Sequence, residues 1–175
     1  FPTKMQQGNS VPAISGGPGE NVHKCTWMLP DNERLGQPRA LIMAGDWTYK
    51  AFNDGNPTAL QLSQTLTGTP GRYIQVTGFI LGETADKPTS PTGKLEDDHF
   101  IGSLKLGDQT DTRFYATMIL HNDVPGNDRH WNQFTVSALV PNSGQLLLTV
   151  TVQQNWAGET DFFLDNFTAV EWSQN

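Results

Sequence analysis

The last third of the chain, Trp131 to Trp172, constrains the fold most. Three runs in succession alternate in character. Phe134, Val136 and Ala138 alternate with Thr135 and Ser137. Leu146, Leu148, Val150 and Val152 alternate with Leu147, Thr149 and Thr151. Phe163, Asp165, Phe167 and Ala169 alternate with Phe162, Leu164, Asn166 and Thr168. A period of two is what a strand with two unlike faces requires. Pro141-Asn142-Ser143-Gly144 marks the turn between the first two runs, and Ala157 to Thr160 marks the next. These residues predict three consecutive antiparallel strands.

The same signals recur upstream. Val22–Met28, Arg39–Ala44, Trp47–Phe52, Leu60–Leu66, Arg72–Glu83, Phe100–Leu106 and Arg113–Leu120 read as strands. Turn clusters separate them, such as Asn53-Asp54-Gly55-Asn56-Pro57 and Gly68-Thr69-Pro70-Gly71. In the longest strand Tyr73, Gln75, Thr77, Phe79 and Leu81 share one face, while Ile74, Val76, Gly78 and Ile80 share the other. Residues 1–21 hold four Gly and three Pro and predict an extended N-terminal arm. Residues 84–97 and 121–130 are polar loops without periodicity. No stretch keeps a helical period and no repeat is visible. Nine or ten short strands point to one all-β sandwich domain over residues 1–175.

Composition narrows the partners. The formal net charge is -7, so nucleic acid, itself a polyanion, is not expected. Neutral polysaccharide is not barred, because it binds through stacking and hydrogen bonds. Charged residues make up only 17%, which leaves the surface to Thr, Ser, Asn and Gln. Cys25 is the only cysteine, so neither an intrachain disulfide nor a cysteine-based zinc site can form. No apolar run approaches the roughly 20 residues of a membrane span, and no membrane partner is expected. A start at Phe1 reads as a mature product or an excised domain.

Two stretches carry a family resemblance: LQLSQTLTGTPGRYIQVTGFILGE, and the ordered Trp131, Phe134-Thr135, Pro141-x-x-Gly144, apolar strand and Phe163-Leu164-Asp165-Asn166. From Leu60 to Trp172 the chain resembles the jelly-roll carbohydrate-binding modules of families 4, 9, 16 and 22, in the galactose-binding-domain-like group. The N-terminus departs from that pattern, with Gly8-Asn9 and Gly16–Asn21 where those modules often carry Asn-Gly-x-Phe-Glu. The resemblance implies a jelly roll of two antiparallel sheets and a non-catalytic domain that binds polysaccharide or oligosaccharide. It also implies an extracellular, secreted location, as a monomeric part of a larger chain. Members commonly hold a structural Ca²⁺ with the Asp of the final strand, which matches Asp165 here; Glu20 is a candidate second ligand. A carboxylate between Phe163 and Phe167 is costly to bury unless it is coordinated or accepts backbone N–H bonds from a loop.

Sugar binding calls for aromatic faces beside amides and guanidinium groups. Trp47 and Tyr49 lie two apart on one strand, Trp131 adjoins a polar loop, and Trp156 sits at an expected hairpin tip next to Asn155. Arg72 flanks a turn. Each ring has core packing as its alternative, and Trp172 reads as core or edge packing. For glycoside hydrolysis Asp161 and Asp165 share a face, but Glu159 falls in the expected turn and no clustered Glu-x-Asp strand motif is present. His121, Asp123, Asp128 and His130 read as a solvated loop. Two alternatives to the sugar-binding reading are an attachment or assembly jelly roll and a small glycan-active enzyme.

Overall fold

In a computed structural model, residues 21–25, 31, 34–37, 40–54, 58–84, 100–115, 119–120, 131–154 and 159–173 are described. Their strands are β1 (Asn21–Cys25), β2 (Trp47–Asp54), β3 (Thr58–Thr67), β4 (Tyr73–Thr84), β5 (Phe100–Leu106), β6 (Gln109–Tyr115), β7 (Ile119–Leu120), β8 (Asn132–Leu139), β9 (Gln145–Gln154) and β10 (Glu159–Trp172). One sheet runs β1-β2-β10-β4, with β8 and the short β7 sharing the far edge of β4; the other runs β3-β9-β5-β6. Every pairing is antiparallel except β4 with β7. The all-β sandwich of two antiparallel sheets is therefore the observed fold.

Alternation in sequence becomes two facing apolar layers. Ile74, Val76, Ile80, Phe134, Val136 and Leu164 of the first sheet meet Leu60, Leu62, Leu104, Leu148, Val150 and Val152 of the second. Burying each such side chain is worth about 1.5–3 kcal/mol, so this layer is the main term holding the sheets together. The seam beside β8 is closed by Asp111 of β6, whose carboxylate accepts the Thr135 N–H at 3.0 Å.

Among the described strand pairings the register shifts in β10, and the shift matters. Asp165 pairs with Phe79 and Thr168 pairs with Thr77, so β10 carries one extra residue between them. Asn166 takes a φ of 50° there, a conformation that Asn tolerates better than most residues. The extra residue shifts the phase by one. Phe167 packs on the core with Phe162 and Leu164, not on the face of Phe163 as strict alternation requires. Beyond the bulge, Thr168, Val170 and Trp172 share the outer face with their partners Thr77, Gln75 and Tyr73.

Three strand expectations need correction. Arg39–Ala44 is not a strand where it is described, from residue 40 onward. It is an irregular cover whose Leu41 and Ile42 are buried against Leu81 and Phe163 on the outer side of the first sheet. The expected strand Arg113–Leu120 begins earlier, at Gln109, because Gly107 (φ 57°) and Asp108 turn the chain from β5. Glu159 opens β10 opposite Asp54 and does not lie in a turn.

The registers sort the connections into two ends. Asp54, Thr58, Thr84, Phe100, Tyr115, Gln154 and Glu159 lie at one end of the sandwich. Gly68–Arg72, Gly107-Asp108 and Pro141–Gly144 turn the chain at the other.

Candidate functional site

The first end gathers the strand termini that carry the polar loops 84–97 and 121–130 and the Asn155-Trp156 pair. Those loops, Asn155, Trp156 and Glu20 lie outside the described residues, as does the Trp47 side chain. The backbone of Trp47 pairs with Cys25.

Two candidate aromatics have structural employment. Trp131 donates its indole N–H to the Ala40 carbonyl at 3.0 Å and packs against Leu41, Ile42, Leu81 and Phe163. Tyr49 is half-buried and packs on the main core, and burial raises its hydroxyl pKa. Expected as stacking platforms, both rings are instead spent largely on the fold. Arg72 is at the opposite end from the loops. It pairs with Glu171 at 3.2 Å across an exposed surface, while Glu171 also accepts the Thr69 N–H at 3.1 Å.

Asp165 is buried. Its Oδ2 accepts the Met43 N–H at 2.7 Å, and its Oδ1 accepts the Asn166 N–H at 2.6 Å. Burial raises its pKa, opposed by the amides of Met43, Asn166 and Ala44. Calcium requires six to eight oxygen ligands, whereas the described neighbours of Asp165 turn N–H donors toward it. Among the described residues Asp165 acts as a carboxylate that pins residues 43 and 44 to β10, and Glu20, the other expected Ca²⁺ ligand, lies outside them.

Asp161 and Asp165 are not set as a catalytic carboxylate pair. Phe163 stands between Asp161 and Asp165, and Asp161 is bound to Lys50 at 2.6 Å. No three His, Cys, Asp or Glu side chains are grouped to hold a metal among the described residues. A cleft of about 370 Å³ at the turn end, lined in part by Asp108, Leu139, Pro141 and Leu147, offers a single carboxylate with no histidine, lysine, serine or cysteine beside it.

Two broad faces remain. On the outer side of the β3-β9-β5-β6 sheet, Gln61, Thr151, Ser103 and Thr112 form one row, and Ser63, Thr149, Lys105 and Thr110 the next. Lys105 is the one charged residue in these rows. The Ser103 and Thr112 hydroxyls lie 3.1 Å apart, and β9, the strand that leads to Asn155-Trp156, runs through the middle.

On the outer side of the other sheet, the half not covered by residues 40–46 carries a stacked aromatic pair. Tyr73 and Trp172 have ring centroids 4.9 Å apart and planes 20° from parallel, and Trp172 is 37% exposed. Sequence reasoning passed over this pair because unbroken alternation from Phe162 assigns Trp172 to the core. Asn166, tolerant of positive φ, was the available signal.

No protein-family model matches the chain, and no curated protein matches it. Solved structures do. TmCBM61, solved with β-1,4-galactotriose, is 17% identical, covers 74% of this chain and 74% of its own, and has a TM-score of 0.51. A family 16 carbohydrate-binding module is 12% identical over 73% of this chain and 79% of its own, with a TM-score of 0.41. The enzymatically active domain of tailspike protein 4 from bacteriophage CBA120 is 12% identical over 90% of this chain but only 18% of its own, with a TM-score of 0.47. At these identities the likeness is one of fold: the chain has the β-sandwich jelly roll found in carbohydrate-binding modules.

Proposed function

We propose that this domain binds neutral polysaccharide without catalysing its cleavage, along the outer face of the β3-β9-β5-β6 sheet. The observation that carries this is the makeup of that face: two adjacent rows across its four strands present hydroxyls and the Gln61 amide with a single charge, beside the exposed Leu147. Sugar hydroxyls exchange hydrogen bonds with such groups at little net cost, and almost no charge has to be stripped of water. Trp156 and Asn155, which follow β9 directly in the sequence, are the stacking and hydrogen-bonding residues of this reading. Affinity is modest, since an exposed glycan keeps much of its hydration and loses chain freedom on binding. In this reading the domain targets a larger secreted chain to its substrate.

The test is affinity electrophoresis through gels containing soluble xylan, mixed-linkage β-glucan, galactomannan or β-1,4-galactan. At least one gel is expected to retard the wild-type domain, and Thr151→Glu or Trp156→Ala to reduce that retardation. Free migration of the wild type in all four gels would end the proposal.

A further inference from the structure

We infer that the open half of the opposite sheet is a second glycan-binding platform, centred on Tyr73 and Trp172, so that the domain can hold a neutral polysaccharide on each of its two faces. The inference rests on the carbohydrate-binding reading but not on where that reading places its site.

The bulge between Asp165 and Thr168 is what creates the platform. Without the extra residue, the parity of Leu164 would carry through to Trp172 and turn it inward. With it, Trp172 stands on the outer face, directly across the ladder from Tyr73. Bulges commonly re-aim a side chain in this way. The stacked rings supply an aromatic surface for sugar C–H groups. Beside them, Gln75 donates its amide to the Ser137 hydroxyl at 3.2 Å on an exposed surface. Exposed groups of this kind exchange partners readily with a sugar hydroxyl. Val170, 59% exposed, extends the apolar strip along β10.

Charge and size select the occupant. The outward positions of β10 beyond the bulge, of β4 from Tyr73 to Phe79, and of β8 from Gln133 to Leu139 carry no Asp, Glu, Lys or Arg. Arg72 and Glu171, at the rim, neutralise each other. An anionic glycan therefore finds no cation on the face. Three strands and about six residues per strand give a footprint of roughly 10 Å by 20 Å. That is far below the ~800 Å² per partner of a stable protein interface, but long enough for a short run of sugar rings.

The experiment uses the same four polysaccharide gels with Trp172→Ala, Val170→Glu, Thr151→Glu and the Val170→Glu/Thr151→Glu double variant. Val170→Glu places a charge on the platform while leaving the ring pair intact, so it reads the site even if Trp172→Ala unfolds. In at least one gel, Val170→Glu and Trp172→Ala are expected to weaken the apparent Kd about tenfold. Thr151→Glu alone should leave residual retardation that the double variant removes. Wild-type migration by both platform variants in every gel that retards the wild type would overturn the second site; if Thr151→Glu abolished retardation there, the first reading would survive. Free migration of the wild type in all gels would overturn both. A dimer in sedimentation that Val170→Glu dissociates would assign the face to a second copy of the chain and overturn the glycan platform.

Discussion

Burial takes water away from the Asp165 carboxylate, and the amides of Met43, Asn166 and Ala44 return only part of what is lost, so its pKa lies above the ordinary 3.8. In the unfolded chain the group reverts to that ordinary value. Folded protein therefore holds the proton more tightly, and stability falls as pH rises from the unfolded pKa through the folded one, then levels off. Asp165→Asn should remove this slope. It also replaces an acceptor oxygen with an NH₂ that faces an N–H donor, at a cost of about 1–3 kcal/mol. Urea denaturation across the acidic range checks both effects. Because the described partners of the carboxylate are amides, chelator should leave the melting temperature unchanged in wild type and variant alike. A chelator-dependent fall seen only in wild type would restore the calcium site. The sequence made Asp165 conspicuous as a charge on an apolar strand face, but it did not reveal which long-range partner satisfied it, since Met43 is 122 residues away.

Gly78 shows how an element depends on its neighbour. A side-chain carbon there would overlap the Phe167 ring, which fills the space beside Gly78 opposite the bulge. The bulge and Gly78 thus act as a pair, one supplying the extra residue and the other the room for it. Gly78→Ala should cost about 1–3 kcal/mol through overpacking and disturb the Tyr73–Trp172 stack, seen as a change in near-ultraviolet circular dichroism. An unchanged spectrum at wild-type stability would separate the two elements. Strand identity was legible from alternation because burying one face of a sheet imposes it. Phase was not, because one inserted residue reverses every later side chain while leaving the apolar pattern plausible. Residues 40–44 misled for a related reason. Leu41 and Ile42 are buried as strand residues would be, yet Met43 gives its N–H to Asp165 rather than to a ladder.

At the scale of the molecule, the ladders determine which parts open first. β9 is hydrogen-bonded along both edges, to β3 and β5, and β4 is bonded to β10 and β8. In β10, residues 160–164 pair with β2 as well as β4, whereas 168–172 pair with β4 alone among the described residues. Sites of ligand contact are drawn from segments of lower local stability, and scaffold strands from those of higher. Sequence made the scaffold readable, because its strands obey one burial rule. The two faces were harder to read, since Thr, Ser and Gln on an outer face look alike whether they meet water or sugar. Amide hydrogen exchange distinguishes the levels. Leu148–Val152 and Ile74–Val76 should exchange slowest, near the rate of global unfolding, and Thr168–Trp172 measurably faster. Binding of a retarding polysaccharide should slow exchange in Thr168–Trp172 if the platform beyond the bulge is occupied. Protection confined to β9 and its neighbours would leave a single glycan face, on the other sheet.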